Sequence, residues 1–177
     1  MRHAGWFALS IVLTLTVPAR SFADQDPPAA WVREVLDWHV AGIVEQDEGC
    51  RVYFVKLDKD DVNEMILRYP STNKTISKVR VSRWRPDREE VILEVDSGTA
   101  QSDVGLVNGA PAIILEWVRR DAGGMPISDV QEELLRWNNY RFDHNVMNDC
   151  SRPGLSATHC VPSWNQLSGR PCVDFPR

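Results

Sequence analysis

Four cysteines constrain the fold of this chain more than any other feature of its sequence. One lies early, at Cys50, and three lie near the end, at Cys150, Cys160 and Cys172. Four cysteines allow three complete pairings, and each of them joins Cys50 to one of the three late cysteines. Closing a loop of roughly 100 residues is worth up to about 4–5 kcal/mol in the chain-entropy model. We therefore expect the early chain to be cross-linked to the tail, with a second bond inside residues 150–172.

The N-terminal stretch favours disulfides over free thiols. Residues 1–23 begin with Arg2, continue with an apolar run over residues 6–17 and end in Ser21-Phe22-Ala23. This order is typical of a secretory signal peptide. The run is also shorter than the roughly 20 residues that a membrane-spanning helix needs. We expect cleavage after Ala23, a secreted or periplasmic location and no membrane span in the mature protein. An uncleaved N-terminal anchor is the alternative.

Metal binding is a weaker interpretation of the same cysteines. The three late cysteines are separated by nine and eleven residues, without the closely spaced pair that is typical of a zinc site. Exported proteins meet an oxidising compartment in which disulfides persist. The sequence therefore predicts disulfides and no metal.

The charge balance argues against nucleic acid as a partner. The chain has 20 Lys and Arg against 25 Asp and Glu, a net charge of −5. Removal of residues 1–23, which contain two arginines and no acid, leaves a net charge of −7. Binding to a phosphate backbone depends on an excess of Lys and Arg. Residues 24–177 have the length of a single domain.

The apolar periodicity predicts an α+β fold. The pattern indicates helices over residues 29–44, 60–69 and 128–140, a strand over 51–57, and two hairpins, 75–84 with 90–96 and 103–107 with 112–120. Ser128 and Gln131 form a capping-box pattern at the start of the last helix. We expect an antiparallel sheet of about four to five strands packed by N-terminal and C-terminal helices. Residues 143–177 are expected to form an irregular, disulfide-stapled tail.

A polar cluster after the last predicted helix holds the weak candidates for catalysis. They are His144, Asp143 and Asp149, since a histidine beside carboxylates can act as a general base. The alternative is a polar helix C-terminus, where such side chains meet exposed carbonyls. The sequence contains no nucleophile elbow, zinc motif or phosphate-binding glycine loop, and we expect no cofactor.

A run of basic residues, here called the basic stripe, lies within the first predicted hairpin. It consists of Lys78, Arg80, Arg83, Arg85 and Arg88. The stripe could bind an acidic protein or a polyanionic glycan, or it could be neutralised by glutamates across the hairpin.

Tryptophans near turns add to the candidate binding residues, because tryptophan is enriched at binding hot spots. Trp84 lies within the basic stripe and Trp164 lies in the tail. The predicted binding residues are therefore Arg80, Arg83, Trp84, Arg85 and Trp164.

These features together predict a small exported binding protein whose partner is another protein, such as an inhibitor or an immunity-like protein. One alternative is a small secreted hydrolase that uses the cluster around His144. Another is a structural component of the cell envelope.

Overall fold

Two antiparallel sheets and one helix form the fold. The computed structural model describes residues 25–40, 49–59, 62–72, 74–99, 101–120, 122–123, 125–147, 161 and 163–175. In chain order the elements are α1 (Ala29–Val40), β1 (Arg51–Val55), β2 (Glu64–Pro70), β3 (Ser77–Arg85), β4 (Arg88–Asp96), β5 (Ser102–Val107), β6 (Ala110–Arg120), β7 (Pro126–Trp137), β8 (Phe142–Met147), β9 (Trp164–Gln166), β10 (Arg170–Pro171) and a 3₁₀ turn (Cys172–Asp174).

The two sheets have five strands each. The first sheet has the order β10-β1-β2-β3-β4, and the second has the order β8-β7-β6-β5-β9. The expected single sheet of four to five strands is therefore a pair of sheets. The first sheet lies in the middle, because one of its faces shares a core with α1 and the other shares a core with the second sheet.

Helix α1 is present where the sequence predicts it. Its buried residues are Trp31, Val32, Val35, Leu36 and Val40, at the three- and four-residue spacing of a helix face. They pack on the face of the first sheet that is turned away from the second sheet. Residues 41–44 of the predicted helix lie outside the described residues. Within the described ranges, no helix combines the length and apolar character that crossing a membrane requires.

The predicted helix over residues 60–69 is wrong, since β2 occupies most of that range. In β2, Met65 and Leu67 face α1 while Ile66 faces the second sheet. A strand that is buried on both faces has apolar residues without alternation. The apolar residues of such a strand can match the spacing of a helix by coincidence.

The predicted C-terminal helix over residues 128–140 is also wrong, because this segment lies in β7. Leu135 packs in the core between the sheets, whereas Leu134 packs on the outer face of the second sheet. Both faces of the strand are therefore buried at Leu134 and Leu135. The capping-box pattern at Ser128 does not start a helix here.

Both predicted hairpins are present, as β3–β4 and β5–β6. Asn108 and Gly109 join β5 to β6 with φ angles of 51° and 79°. Positive φ at both central residues defines the type I′ turn that Asn-Gly favours.

The described part of the tail is paired with both sheets and is not irregular. Strand β9 pairs with β5 at the edge of the second sheet, and β10 pairs with β1 at the edge of the first. Residues 167–169 connect them, and Leu167 packs in the core between the sheets. The tail therefore bridges the two sheets.

A disulfide between Cys50 and Cys172 joins the early chain to the tail. Their Cα atoms are 5.6 Å apart across a sequence separation of 122, and both side chains are buried in the core beneath α1. Phe175 follows the bond and packs edge-on against Phe54, and its carbonyl accepts a hydrogen bond from Arg33 at 2.9 Å. Cys150 and Cys160 lie outside the described residues.

We expect the double variant Cys50→Ala, Cys172→Ala to lose about 2–5 kcal/mol of unfolding free energy, because the cross-link restrains the unfolded chain and the sulfurs fill a core. Urea denaturation monitored by tryptophan fluorescence measures this loss. Treating the double variant with reductant controls for any other disulfide. An unchanged midpoint in the variant would contradict the assignment.

Candidate functional site

A cleft of about 710 Å³ lies between α1 and the β3–β4 hairpin. Its helix side includes Trp31, Glu34, Trp38 and His39, and its hairpin side includes Arg80 and residues 84–89. We call it the helix–hairpin cleft. It brings together two segments that are about 45 residues apart in the sequence.

Three tryptophans line the helix–hairpin cleft and differ in exposure. Trp31 is buried and Trp84 is half-buried, and both belong to the core beneath α1. Trp38 is 80% exposed. The cleft therefore has an aromatic base packed in the core and one large apolar side chain in solvent, and tryptophan is a residue type that is enriched at binding hot spots.

Arg80 holds a cluster of ion pairs at the floor of this cleft. Its Nε and Nη2 atoms donate to Glu89 at 2.9 and 3.1 Å, and its Nη1 atom donates to Glu94. Ser82 also donates to Glu89, and His39 Nε2 lies 3.7 Å from the same carboxylate. The two-point contact between Arg80 and Glu89 fixes the orientation of the guanidinium group.

The pKa values of this pair move apart. The hydrogen bond to Glu89 raises the pKa of Arg80. Burial raises the pKa of Glu89, but the hydrogen bonds from Arg80 and Ser82 outweigh burial and hold the pKa below its ordinary value. Both groups are therefore charged over the whole range near neutral pH.

Arg83 makes a second cluster on the opposite face of the first sheet. Its Nε donates to the fully buried Glu64 at 2.8 Å, and its Nη2 pairs with Asp58. The other Glu64 oxygen accepts the backbone N–H of Leu57 at 2.8 Å. Burial nevertheless raises the pKa of Glu64 above its ordinary value.

The basic stripe is therefore divided between two faces and largely neutralised. In addition to the pairs above, Lys78 pairs with Asp96 at 3.3 Å and Arg85 pairs with Glu90 at 2.8 Å. This arrangement follows the interpretation in which the hairpin balances its own charges. A binding role for Arg80, Arg83 and Arg85 stays a prediction.

Trp164 lies on the second sheet, apart from Trp84. It packs against a cluster that includes Val107 and Ile114. A Cβ at Gly105 would lie 2.7 Å from its ring, so this glycine makes room for the indole. The Nε1 atom is buried and has no hydrogen-bond partner among the described residues. These contacts describe a packing role, and its role in binding stays a prediction.

The catalytic candidates do not form one group. His144 is exposed on β8, and its Nδ1 lies 2.6 Å from Glu133 Oε1 on β7. Asp143, the next residue on the same strand, instead accepts hydrogen bonds from Asn138 and Arg141. Neither His144 nor Asp143 lines the helix–hairpin cleft. Asp149 lies outside the described residues.

Sequence reasoning missed Glu133 as the partner of His144 and did not single out Trp38. Glu133 reaches His144 only because β7 pairs with β8, where the sequence indicates a helix. Trp38 follows Trp31 by two helical turns and lies just beyond it at the edge of the buried arc. The angular position of Trp38 on the helix was therefore the signal in the sequence for its exposure.

Among the residues that the structure describes, no group of three or more His, Cys, Asp or Glu side chains is placed to hold a metal ion. Comparisons of the chain with known protein families, with curated proteins and with solved structures find no match. The functional argument therefore rests on the geometry of the helix–hairpin cleft.

The half-buried Glu89 and the buried Glu64 should influence stability with opposite pH dependence. Because the folded state lowers the pKa of Glu89, its contribution is present above the unfolded-state pKa and is lost as pH falls through the folded value. Because the folded state raises the pKa of Glu64, its contribution is present below the unfolded-state pKa and is lost as pH rises through the folded value.

Glu89→Gln and Glu64→Gln test this contrast. We expect the stability advantage of the wild type over Glu89→Gln to shrink as pH falls below about 4.3. We expect the stability of the wild type relative to Glu64→Gln to shrink as pH rises above about 4.3. Urea unfolding at a series of pH values measures both. Two parallel profiles of the same sign would contradict the assignment.

Proposed function

We propose that this chain is an exported binding protein that recognises another protein through the helix–hairpin cleft. The observation that carries the proposal is Trp38, which lines the cleft and is 80% exposed. An exposed tryptophan beside a concave surface gives a partner a large rigid contact at a low cost in side-chain entropy.

The walls of the cleft support this proposal because they are held in place. Arg80 is fixed to the hairpin by its two-point contact with Glu89, and Trp84 packs in the core beneath α1. The tail adds a restraint on α1, since Arg33 donates to the carbonyl of Phe175, three residues after the disulfide. A surface that is ordered before binding loses little conformational entropy when a partner arrives.

Export is the second part of the proposal. The disulfide between Cys50 and Cys172 supports it, because such bonds persist in oxidising compartments. The signal-like residues 1–23 lie outside the described residues and support it from sequence alone. An inhibitor or an immunity-like protein is the kind of binding protein that small size and negative charge favour.

A secreted hydrolase is the second candidate, and the pair of His144 and Glu133 is the observation that favours it. A carboxylate at 2.6 Å can orient an imidazole for general-base catalysis. Glu133 also accepts a hydrogen bond from Trp117 at 3.1 Å, so this carboxylate has a packing role as well. A structural role in the cell envelope would use the same cleft and differs only in the identity of the partner.

The first test compares Trp38→Ala with wild type in partner capture. Mature protein carrying an affinity tag is cross-linked in the envelope and culture fractions of its source, the captured proteins are identified by mass spectrometry, and one purified partner is titrated by calorimetry. We expect Trp38→Ala to weaken that complex by about 30-fold, because removal of a hot-spot tryptophan costs about 2 kcal/mol or more.

Tyr140→Ala is the matched control. Tyr140 is 89% exposed in the turn between β7 and β8, on the second sheet, and it does not line the cleft. Equal losses in both variants, or no loss in Trp38→Ala, would refute the cleft as the binding site. Loss of function in His144→Ala with Trp38→Ala unaffected would favour the hydrolase.

A further inference from the structure

The charges that line the helix–hairpin cleft are not equally available to a ligand. Arg80 is already shared by Glu89 and Glu94, and Arg85 donates to Glu90. These guanidinium groups are the cations that the sequence suggested for an acidic partner. In the structure their hydrogen-bonding capacity is directed toward carboxylates of the same hairpin.

Two carboxylates of the cleft lining are available instead. Glu34 on α1 and Asp87 in the β3–β4 turn are exposed, and neither makes an ion pair or a side-chain hydrogen bond with another described residue. Arg88 offsets one of these two charges. The other two cations of the lining, Arg80 and Arg85, are paired with Glu89, Glu94 and Glu90. The lining charges that make no ion pair with another described residue are therefore two carboxylates and one guanidinium group.

Two indole rings line the same cleft as these carboxylates. Trp38 is exposed and Trp84 is half-buried, and both line it. A cation within about 6 Å of a tryptophan face is attracted by the ring, and tryptophan is the strongest of the aromatic residues in this respect. The chain uses such a contact on the other side of α1, where the Arg170 guanidinium lies 4.4 Å from the Phe175 ring centroid.

We propose that the helix–hairpin cleft takes a cationic side chain, a lysine or an arginine, presented by the partner protein. The ammonium or guanidinium group would contact the indole rings of Trp38 and Trp84 and pair with Glu34 or Asp87. This inference rests on the proposed function and specifies its partner. It reverses the charge that the basic stripe suggests, because Arg80 and Arg85 are paired within the hairpin whereas Glu34 and Asp87 are not.

Small probes test the charge preference without knowledge of the partner. Mature protein labelled with ¹⁵N is titrated with N-acetyl-lysinamide, N-acetyl-argininamide, the neutral N-acetyl-norleucinamide and the anionic N-acetyl-glutamate, and the indole N–H signals are followed by NMR. Single Trp→Phe variants assign these signals. We expect the two cationic probes to shift the Trp38 and Trp84 signals, and the neutral and anionic probes to leave them in place.

The double variant Glu34→Gln, Asp87→Asn tests the carboxylates. We expect it to weaken binding of the cationic probes by about five- to tenfold, since it removes two opposite charges beside the ring contacts. Both side chains are exposed, so the fold should be retained. Asp174→Asn removes an exposed carboxylate that does not line the cleft and should leave probe binding unchanged.

Trp117 is the internal control. It is 38% exposed and its indole lies beside Glu133, so it combines a ring and a carboxylate outside the cleft. A shift of the Trp117 signal as large as that of Trp38 would show nonspecific attraction and overturn the proposal. A stronger response to the anionic probe, or none to the cationic probes, would overturn it too.

The same set of variants and probes distinguishes failure of this inference from failure of the proposed function on which it rests. If Trp38→Ala abolishes partner capture but the cationic probes fail to bind, the binding function stands and the charge preference is wrong. If the probes bind but Trp38→Ala leaves partner capture intact, the cleft is a cation site and the proposed protein recognition through it is wrong.

Discussion

Burial of the first sheet on both faces is the constraint on which the rest of the structure depends. Helix α1 covers one face and the second sheet covers the other, so successive residues of β2 contribute to two different cores. The alternation of a strand then directs Arg80 toward α1 and Arg83 toward the opposite face. Arg80 meets Glu89 and Glu94 there, and Arg83 meets the buried Glu64. The helix–hairpin cleft lies where α1 and the end of this central sheet meet.

The parts of the fold that local chemistry determines could be predicted from the sequence. Asn108 and Gly109 identify a turn by themselves, and α1 has one buried face with regular spacing. Strand β2 could not be recognised in this way, because burial on both faces removes the alternation that marks a strand. In β7 the adjacent buried residues Leu134 and Leu135 interrupt the alternation in the same way. The prediction of a single sheet followed from the same error, because each strand that was mistaken for a helix was missing from the predicted sheet.

The residues of the candidate site could be found in part, and their arrangement could not. Arg80 and Trp84 were singled out by their types. Their relation to Trp38 and His39 depends on how α1 crosses the first sheet, which no local pattern encodes. The sequence also shows charges without their partners, so the basic stripe suggested an acidic ligand. Pairing across the hairpin is a tertiary fact, and it determines which charges remain available.

The tail that bridges the two sheets has a consequence for the order in which the protein can be completed. Strands β9 and β10 supply an edge to each sheet, yet they follow all the other strands in the chain. Until they arrive, β1 and β5 present unpaired backbone groups, and unpaired edges promote association with other chains. The edges at β1 and β5 are therefore covered late, when the C-terminal segment pairs with both sheets and Cys172 reaches Cys50.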